Sequence, residues 1–431
     1  MLPVRARESD VAMRTSDSHD ASVQHPFRTE MRRLDLRVLT SQQLLPATET
    51  KPRLPQMGTL DGIRVIQLGG IGPVPFAAML FADMGAEVLR IDPPGTAPER
   101  ALGANARGVQ SLVLDLKKPG AAEVLLRLSA TADVLIEGNR PGVAERLGIG
   151  PDACFTRNPK LVYGRMTAFG QDGPYSKAAA HDINVIAVAG VLEPLGPPER
   201  PPVPPQALVG DFGGGGMLLA VGVLGALLEA GRSGRGQVVD ASMTEGSALI
   251  GTYMYEMQAQ GMLKGGRGST LLDGAAPFYG TYETADGKYV AVGAIEPQFY
   301  AEFMAEMGID ITGMPSNRDT RNWPELKTRL AEIFKTRTRD EWCARMAKRS
   351  TCFTPVLSPL EAPQDPHNRA RAAFVERNGI TQPAPAPRFS RTPSKAGEIP
   401  VALGAHTDAV LARAGYSPAE ITDLRANGIV R

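Results

Sequence analysis

The sequence predicts an α/β fold, a parallel sheet covered by helices on both faces, with a smaller α+β domain late in the chain. Three observations carry this. Short apolar runs alternate with helix-length segments from residue 63 onward, which is the pattern of a parallel sheet buried on both sides. The 431 residues exceed one average domain and suffice for two sizeable cores. Around Gly265 to Gly268 the texture changes to closely spaced strands followed by a long helical stretch.

Taken in order, Ile63 to Leu68 reads as a strand, Gly69 to Pro75 as a tight turn and Phe76 to Met84 as a helix. Val88 to Ile91 and Ser111 to Leu114 are the next strands, Ala121 to Ser129 a helix, and Val134 to Glu137 and Leu161 to Met166 further strands. Proline-rich Glu193 to Pro205 is a surface loop. Gly213 to Gly216 opens an apolar helix, and the turn Ser233 to Gly236 leads into a strand at Gln237 to Ala241. Strands at Gly280 to Glu283 and Lys288 to Val292 then precede helices from Gln298 to about Ala347. The resulting division is an extension at 1–57, a large domain at 58–259, a small one at 260–370, and a return to the large domain at 371–431.

Composition narrows the function. A hydrophobic fraction of 43% and a charged fraction of 22% are ordinary for a globular protein. The net charge of +1 argues against a general affinity for nucleic acid or anionic membrane, so phosphate binding would use local basic groups and a small substrate. Cys154, Cys343 and Cys352 lack metal-ligand spacing and suit a reduced, cytoplasmic protein without a metal site. No apolar run free of charges and glycines reaches the roughly 18 residues of a membrane span, and Met217 to Leu228 reads as a buried helix. In the extension, arginines such as Arg5, Arg7 and Arg14 interleave with Glu8, Asp10 and Asp17. Transit peptides are poor in acids, so a disordered extension, or translation starting at Met57, fits better.

Gly70-Ile71-Gly72, with Asp92 about twenty residues on, imitates a dinucleotide fingerprint. The third glycine is missing, and Pro73 and Pro75 remove N–H donors a pyrophosphate would need. A tight strand-to-helix turn is the better reading.

Three separated segments each set an ionisable residue in unusual company. His181 stands in Ala180-His181-Asp182-Ile183-Asn184, Asp211 precedes Phe212 and four consecutive glycines, and Glu296 follows an apolar strand. Each has a structural alternative: a packed histidine, a helix N-cap and helix initiation. Four glycines in a row need a reason, such as close approach of a ligand.

Together, the segments HDIN, LVGDFGGG, GQVVDASM, LLDGAAPFY, DGKYVAVGAIEPQFY and TPVL closely resemble the α-methylacyl-CoA racemases of the class III CoA-transferase superfamily, in order from about Leu60 almost to the end. The resemblance implies that His181 and Asp211 are acid and base on opposite sides of the substrate's α-carbon, with Glu296 orienting the histidine. It implies that the N–H of Asp182 stabilises an enolate oxygen, its side chain mattering less. Coenzyme A, part of the substrate rather than a tightly bound cofactor, would meet Arg107, Leu114, Asp115, Leu116, Lys117, Gly138, Asn139, Arg140, Arg146, Ala180, Ile183, Asn184 and Val185. Met217, Met243, Met254, Met257 and Met262 suit either an acyl-chain face or ordinary core. The implied architecture is a Rossmann-like large domain formed by both chain ends, in an interlocked homodimer whose site lies between one copy's large domain and the other's small one.

The chain departs from the family pattern at Pro93 (arginine), Val109-Gln110 (a basic pair), Ala207 (asparagine), Val185 (aromatic), Gln67 (glutamate) and Ala180 (glycine). Most of these touch coenzyme affinity or the site's rim, leaving the acid/base trio intact. Two other functions compete: a class III CoA transferase with Asp211 as nucleophile, and a non-catalytic CoA-thioester binder.

Overall fold

The computed structural model describes residues 58–263, 265–317 and 319–431; the extension read at 1–57 lies outside them. Six strands form one parallel sheet: β1 (Arg64–Leu68), β2 (Glu87–Asp92), β3 (Val109–Val113), β4 (Val134–Glu137), β5 (Val162–Thr167) and β6 (Val238–Ser242). Their order is β3-β2-β1-β4-β5-β6. Successive side chains point to opposite faces, and both faces are apolar. Val65, Val88, Val134, Ile136 and Val162 enter one core, and Ile66, Leu89, Ile91, Leu135 and Tyr163 the other.

Helix α1 (Pro73–Asp83) links β1 to β2, and short α2 (Pro98–Ala101) precedes β3. α3 (Ala121–Ser129), α4 (Val143–Arg146) and α5 (Pro151–Arg157) surround β4. α1 begins three residues earlier than the sequence suggested, because Pro73 sits in the first helical turn, where a missing N–H breaks no intrahelical bond. Between β5 and β6 lie α6 (Asp182–Val188), a π-helical segment (Leu208–Met217) and α7 (Leu218–Ser233). α8 (Met243–Ile250) and α9 (Thr252–Ala259) follow β6.

The π-helical segment and α7 make one 26-residue rod, Leu208–Ser233, with a stretch of mean hydropathy 1.7, long and apolar enough to cross a membrane. The sequence reading missed it because Asp211 and the glycines interrupt the apolar run. Leu219, Ala220, Val223 and Ala226 of this rod are buried in the first core, whereas Leu208, Met217, Val221 and Leu228 are exposed, so the helix expected to be buried at Met217 to Leu228 is buried along one face only.

The glycine run has a packing explanation. A Cβ on Gly214 would lie 2.6 Å from the Ser247 nitrogen, and one on Gly216 would lie 2.7 Å from the Phe76 ring. The π-helical segment is thus pressed between α1 and α8 at backbone contact, which replaces the expectation that a ligand explains these glycines.

Beyond α9, β7 (Tyr279–Glu283), β8 (Tyr289–Gly293) and β9 (Phe353–Val356) form a separate antiparallel sheet, order β7-β8-β9. α10 (Pro297–Glu306), α11 (Trp323–Phe334) and α12 (Arg339–Met346) surround an aromatic core in which Tyr282 stacks on Phe334 with ring centroids 4.8 Å apart. After α13 (Pro366–Ala370) comes the hairpin β10 (Phe374–Arg377) and β11 (Ile380–Pro383). Val410 and Leu411 of α14 (Thr407–Arg413), Ile421 of α15 (Pro418–Ala426), and Ile429 and Val430 pack into the second core of the large sheet.

Candidate active site

Strand order reverses between β1 and β4, and in such sheets ligands bind beyond the carboxyl ends of the strands at that point. A cavity of about 450 Å³ opens there. Gly70, Ile71 and Pro73 line it from the end of β1, Gly138, Asn139 and Arg140 from β4, and Thr167 and Ala168 from β5. Ala180, His181, Asn184, Asp211 and Met243 complete the lining. His181 and Asp211, thirty residues apart in sequence, therefore share one cavity.

Each is held by local structure. His181 caps α6, where the Asn184 side chain accepts a hydrogen bond from its main-chain N–H at 3.1 Å. Its own carbonyl accepts from the Asn184 N–H at 2.9 Å. Asp211 sits in the π-helical segment, a helix type often found at functional sites. Phe212 packs on Phe76 of α1 with ring centroids 5.0 Å apart. The chain enters the segment through left-handed backbone at Gln206 and Ala207, φ 51° and 64°. An asparagine at position 207, as the resemblance implied, would adopt that conformation with less strain than alanine.

Asp211 is partly buried, and its carboxyl binds its proton more tightly than an ordinary aspartate. Burial is the largest cause and the charge of Asp182 adds to it, while His181 opposes both. That shift moves the carboxyl toward imidazole, the direction an acid/base pair working near neutrality requires.

Gly72 was legible only as part of a false dinucleotide motif, and its role here is spatial. Its backbone is left-handed, φ 66°, and a Cβ there would lie 3.0 Å from Asp211 Oδ2. Gly72→Ala is therefore expected to displace the Asp211 carboxyl and lower kcat by roughly 10- to 100-fold. The check is steady-state kinetics, with KM changing far less.

A second cavity of about 470 Å³ adjoins the first, sharing Gly70 and Asn139. Leu114, Asp115, Leu116, Lys117 and Arg146 line it. The turn between the two is secured from below by Glu137, which the sequence reading did not single out. Its Oε2 accepts the Asn139 N–H at 2.6 Å and its Oε1 meets Arg165 Nε at 3.2 Å. A glutamate ending a fully apolar strand was the available signal.

The remaining expected residues lie elsewhere. Val185 is buried in the first core and Ile183 is exposed, because both occupy turns of α6 that face away from the cavity. Arg107 is not at an entrance but 3% exposed. It forms two bonds to Asp83, at 2.9 and 2.6 Å, and bonds of 2.7 Å each to Gln382 Oε1 and the Pro383 carbonyl. Glu296 is exposed at the start of α10 beside Cys352 and does not line either cavity. Asp92, the acid of the dinucleotide pattern, is engaged by Arg90 at 2.8 and 2.9 Å. Among the described residues no cluster of His, Cys, Asp and Glu is arranged to hold a metal ion.

Comparison with known proteins gives concordant results. Residues 60–407 match CoA-transferase family III. The sequence is 45% identical over 373 residues to mouse (Mus musculus) alpha-methylacyl-CoA racemase, covering 86% of this chain and 97% of that protein. It is 41% identical over 374 residues to the human (Homo sapiens) enzyme of the same name, with the same two coverages, 86% and 97%. A succinyl-CoA–D-citramalate CoA-transferase of Chloroflexus aurantiacus is 30% identical, with 80% and 92% covered. The crystal structure of a CAIB/BAIF family protein from Brucella suis superposes with a TM-score of 0.73 at 25% identity, covering 83% of this chain and 100% of that one.

Proposed function

Because this chain belongs to CoA-transferase family III, we propose from that membership and from its cavity that it is an isomerase interconverting (R)- and (S)-2-methylacyl-CoA thioesters. One observation carries the reading. A histidine and a carboxyl of raised proton affinity line a single cavity at the sheet's switch point, in a chain 45% identical to a racemase over 97% of that enzyme's length.

The chemistry follows from the pair. The thioester carbonyl acidifies the α-hydrogen, and one group removes that proton to leave an enolate. The other group delivers a proton to the opposite face, inverting the centre. In the return direction the roles exchange, so both groups end in their starting states after one round trip. The enolate oxygen needs a donor. Asp182 opens α6, where main-chain N–H groups have no intrahelical acceptor, and supplies the nearest such group in sequence to His181. Coenzyme A would lie in the adjoining cavity, with Lys117, Arg146 and Arg140 available to its phosphates. The Rossmann-like character of the large domain is supported by its strand order.

Glu296 fits as the histidine's orienting partner only if a second copy of the chain brings it. Two features support such a homodimer. Glu296 is exposed and outside the cavity of its own chain. Large apolar side chains are also exposed on helices around His181, including Val188, Leu208, Val221, Leu249, Ile250 and Tyr255.

The transferase reading uses Asp211 as a nucleophile and has a relative at 30% identity; it does not need His181. Incubating 2-methylacyl-CoA in deuterated water, first without and then with an added carboxylic acid, separates them. Deuterium at the α-carbon together with inversion is the expected result. Transfer of coenzyme A to an added carboxylic acid, without exchange, would overturn the racemase reading, and neither reaction would point to a binder.

A further inference from the structure

Asp182 enters the reading above only through its main chain, and the sequence suggested that its side chain matters less. Its surroundings say otherwise. Asp182 is 7% exposed. Oδ1 accepts two hydrogen bonds, from the Gly210 N–H at 2.6 Å and from the Asp211 N–H at 2.9 Å. Both donors belong to the π-helical turn that carries the acid/base carboxyl, and Asp182 itself directly follows His181. One oxygen atom thus joins the two segments that must face each other across the α-carbon. The fit has no slack, because a Cβ on Gly210 would lie 2.5 Å from that same oxygen and 2.9 Å from a Val185 methyl.

We propose that the Asp182 carboxylate is a positioning residue, resting on the racemase reading, that sets the spacing of His181 and Asp211 by tying their two segments together. Hydrogen bonds from backbone N–H groups to an ionised acceptor are short and strong, which suits a tie that must keep two bases in register through both directions of turnover. The same charge lies near the Asp211 carboxyl and adds to its hold on a proton. The groups facing Asp211 are His181 and Asp182 from α6 and, from the turn into α1, Gly72 with no side chain. α8 contributes Met243 to the cavity, and its only carboxylate, Glu245, is exposed.

Two substitutions separate the tie from the charge. Asp182→Asn keeps an oxygen able to accept both N–H groups and removes the charge. Asp182→Ala removes both. Racemisation kinetics and the pH profile of kcat/KM are compared with the unaltered protein, with circular dichroism confirming that each variant is folded. The expected results are a fall in kcat on the order of 100-fold for Asp182→Ala, with KM nearly unchanged. Asp182→Asn should recover most of that loss. Its acid limb should move to lower pH, because a carboxyl without a negative neighbour releases its proton more readily and the pair stays in its working state at lower pH. A folded Asp182→Ala variant with unaltered kcat overturns the proposal, as does an Asp182→Asn variant equally impaired or with an unmoved acid limb. If the unaltered protein itself exchanges no α-hydrogen, the racemase reading fails instead.

Discussion

Asp211→Ala and His181→Ala are each expected to lower racemisation on the order of 1,000-fold or more, the contribution of a positioned acid or base. Inversion needs a group on each face of the α-carbon, so loss of either stops it. Neither variant should lose the fold. Asp211 is held through its main-chain N–H, which alanine retains, and the His181 side chain is exposed. A surface substitution such as that of His181 moves stability by about 0.5 kcal/mol or less. Stereochemistry sharpens the test. Any residual α-hydrogen exchange in one variant should be confined to the enantiomer whose hydrogen faces the surviving base, and the other variant should show the opposite preference. Measured by mass spectrometry on each pure enantiomer, comparable exchange from both in either variant contradicts two bases on opposite faces.

The second large effect concerns stability rather than turnover. Arg107→Ala is expected to destabilise the protein by about 3–5 kcal/mol, the penalty for leaving one member of a buried ion pair alone. Burial already raises the proton affinity of Asp83, and the Arg107 guanidinium acts against that rise. The guanidinium also ties the chain after α1 to the Gln382 side chain and the Pro383 carbonyl, more than 270 residues along. Its loss therefore releases both Asp83 and the β11 hairpin strand. Arg107→Lys should restore only part, since an ammonium cannot bridge both partners with the same fork. Denaturant unfolding measures the loss, and KM for the thioester provides the contrast. An arginine contacting coenzyme A would raise KM with stability unchanged, the reverse of the pattern expected.

Much of the core fold was legible because local sequence decides it. β4 and the helix at 121–129 lie where the apolar pattern put them. Runs such as Val134 to Glu137 are buried on both faces, so their composition announces a parallel sheet. The C-terminal segment illustrates the opposite case, because Val410, Leu411 and Ile429 find their core partners about 300 residues back in the chain, and no local periodicity records that. The glycine run was visible, but its cause was not: the backbone contacts that forbid a Cβ come from α1 and α8, distant in sequence. Arg107 was misplaced for a related reason. A guanidinium beside a binding loop and one paired with a buried aspartate look identical in one dimension.

The amino-acid sequence by itself determined the alternation of strand and helix, because propensity and burial pattern are properties of short segments, while His181, Asp211 and Glu296 stood out as a trio only through the resemblance of their segments to a family. Only the tertiary structure decided that His181 and Asp211 share a cavity at the β1–β4 switch point, that Asp182 ties their segments together, and that Glu296 lies outside that cavity. Those are distances between residues far apart along the chain, set by how helices pack on the sheet.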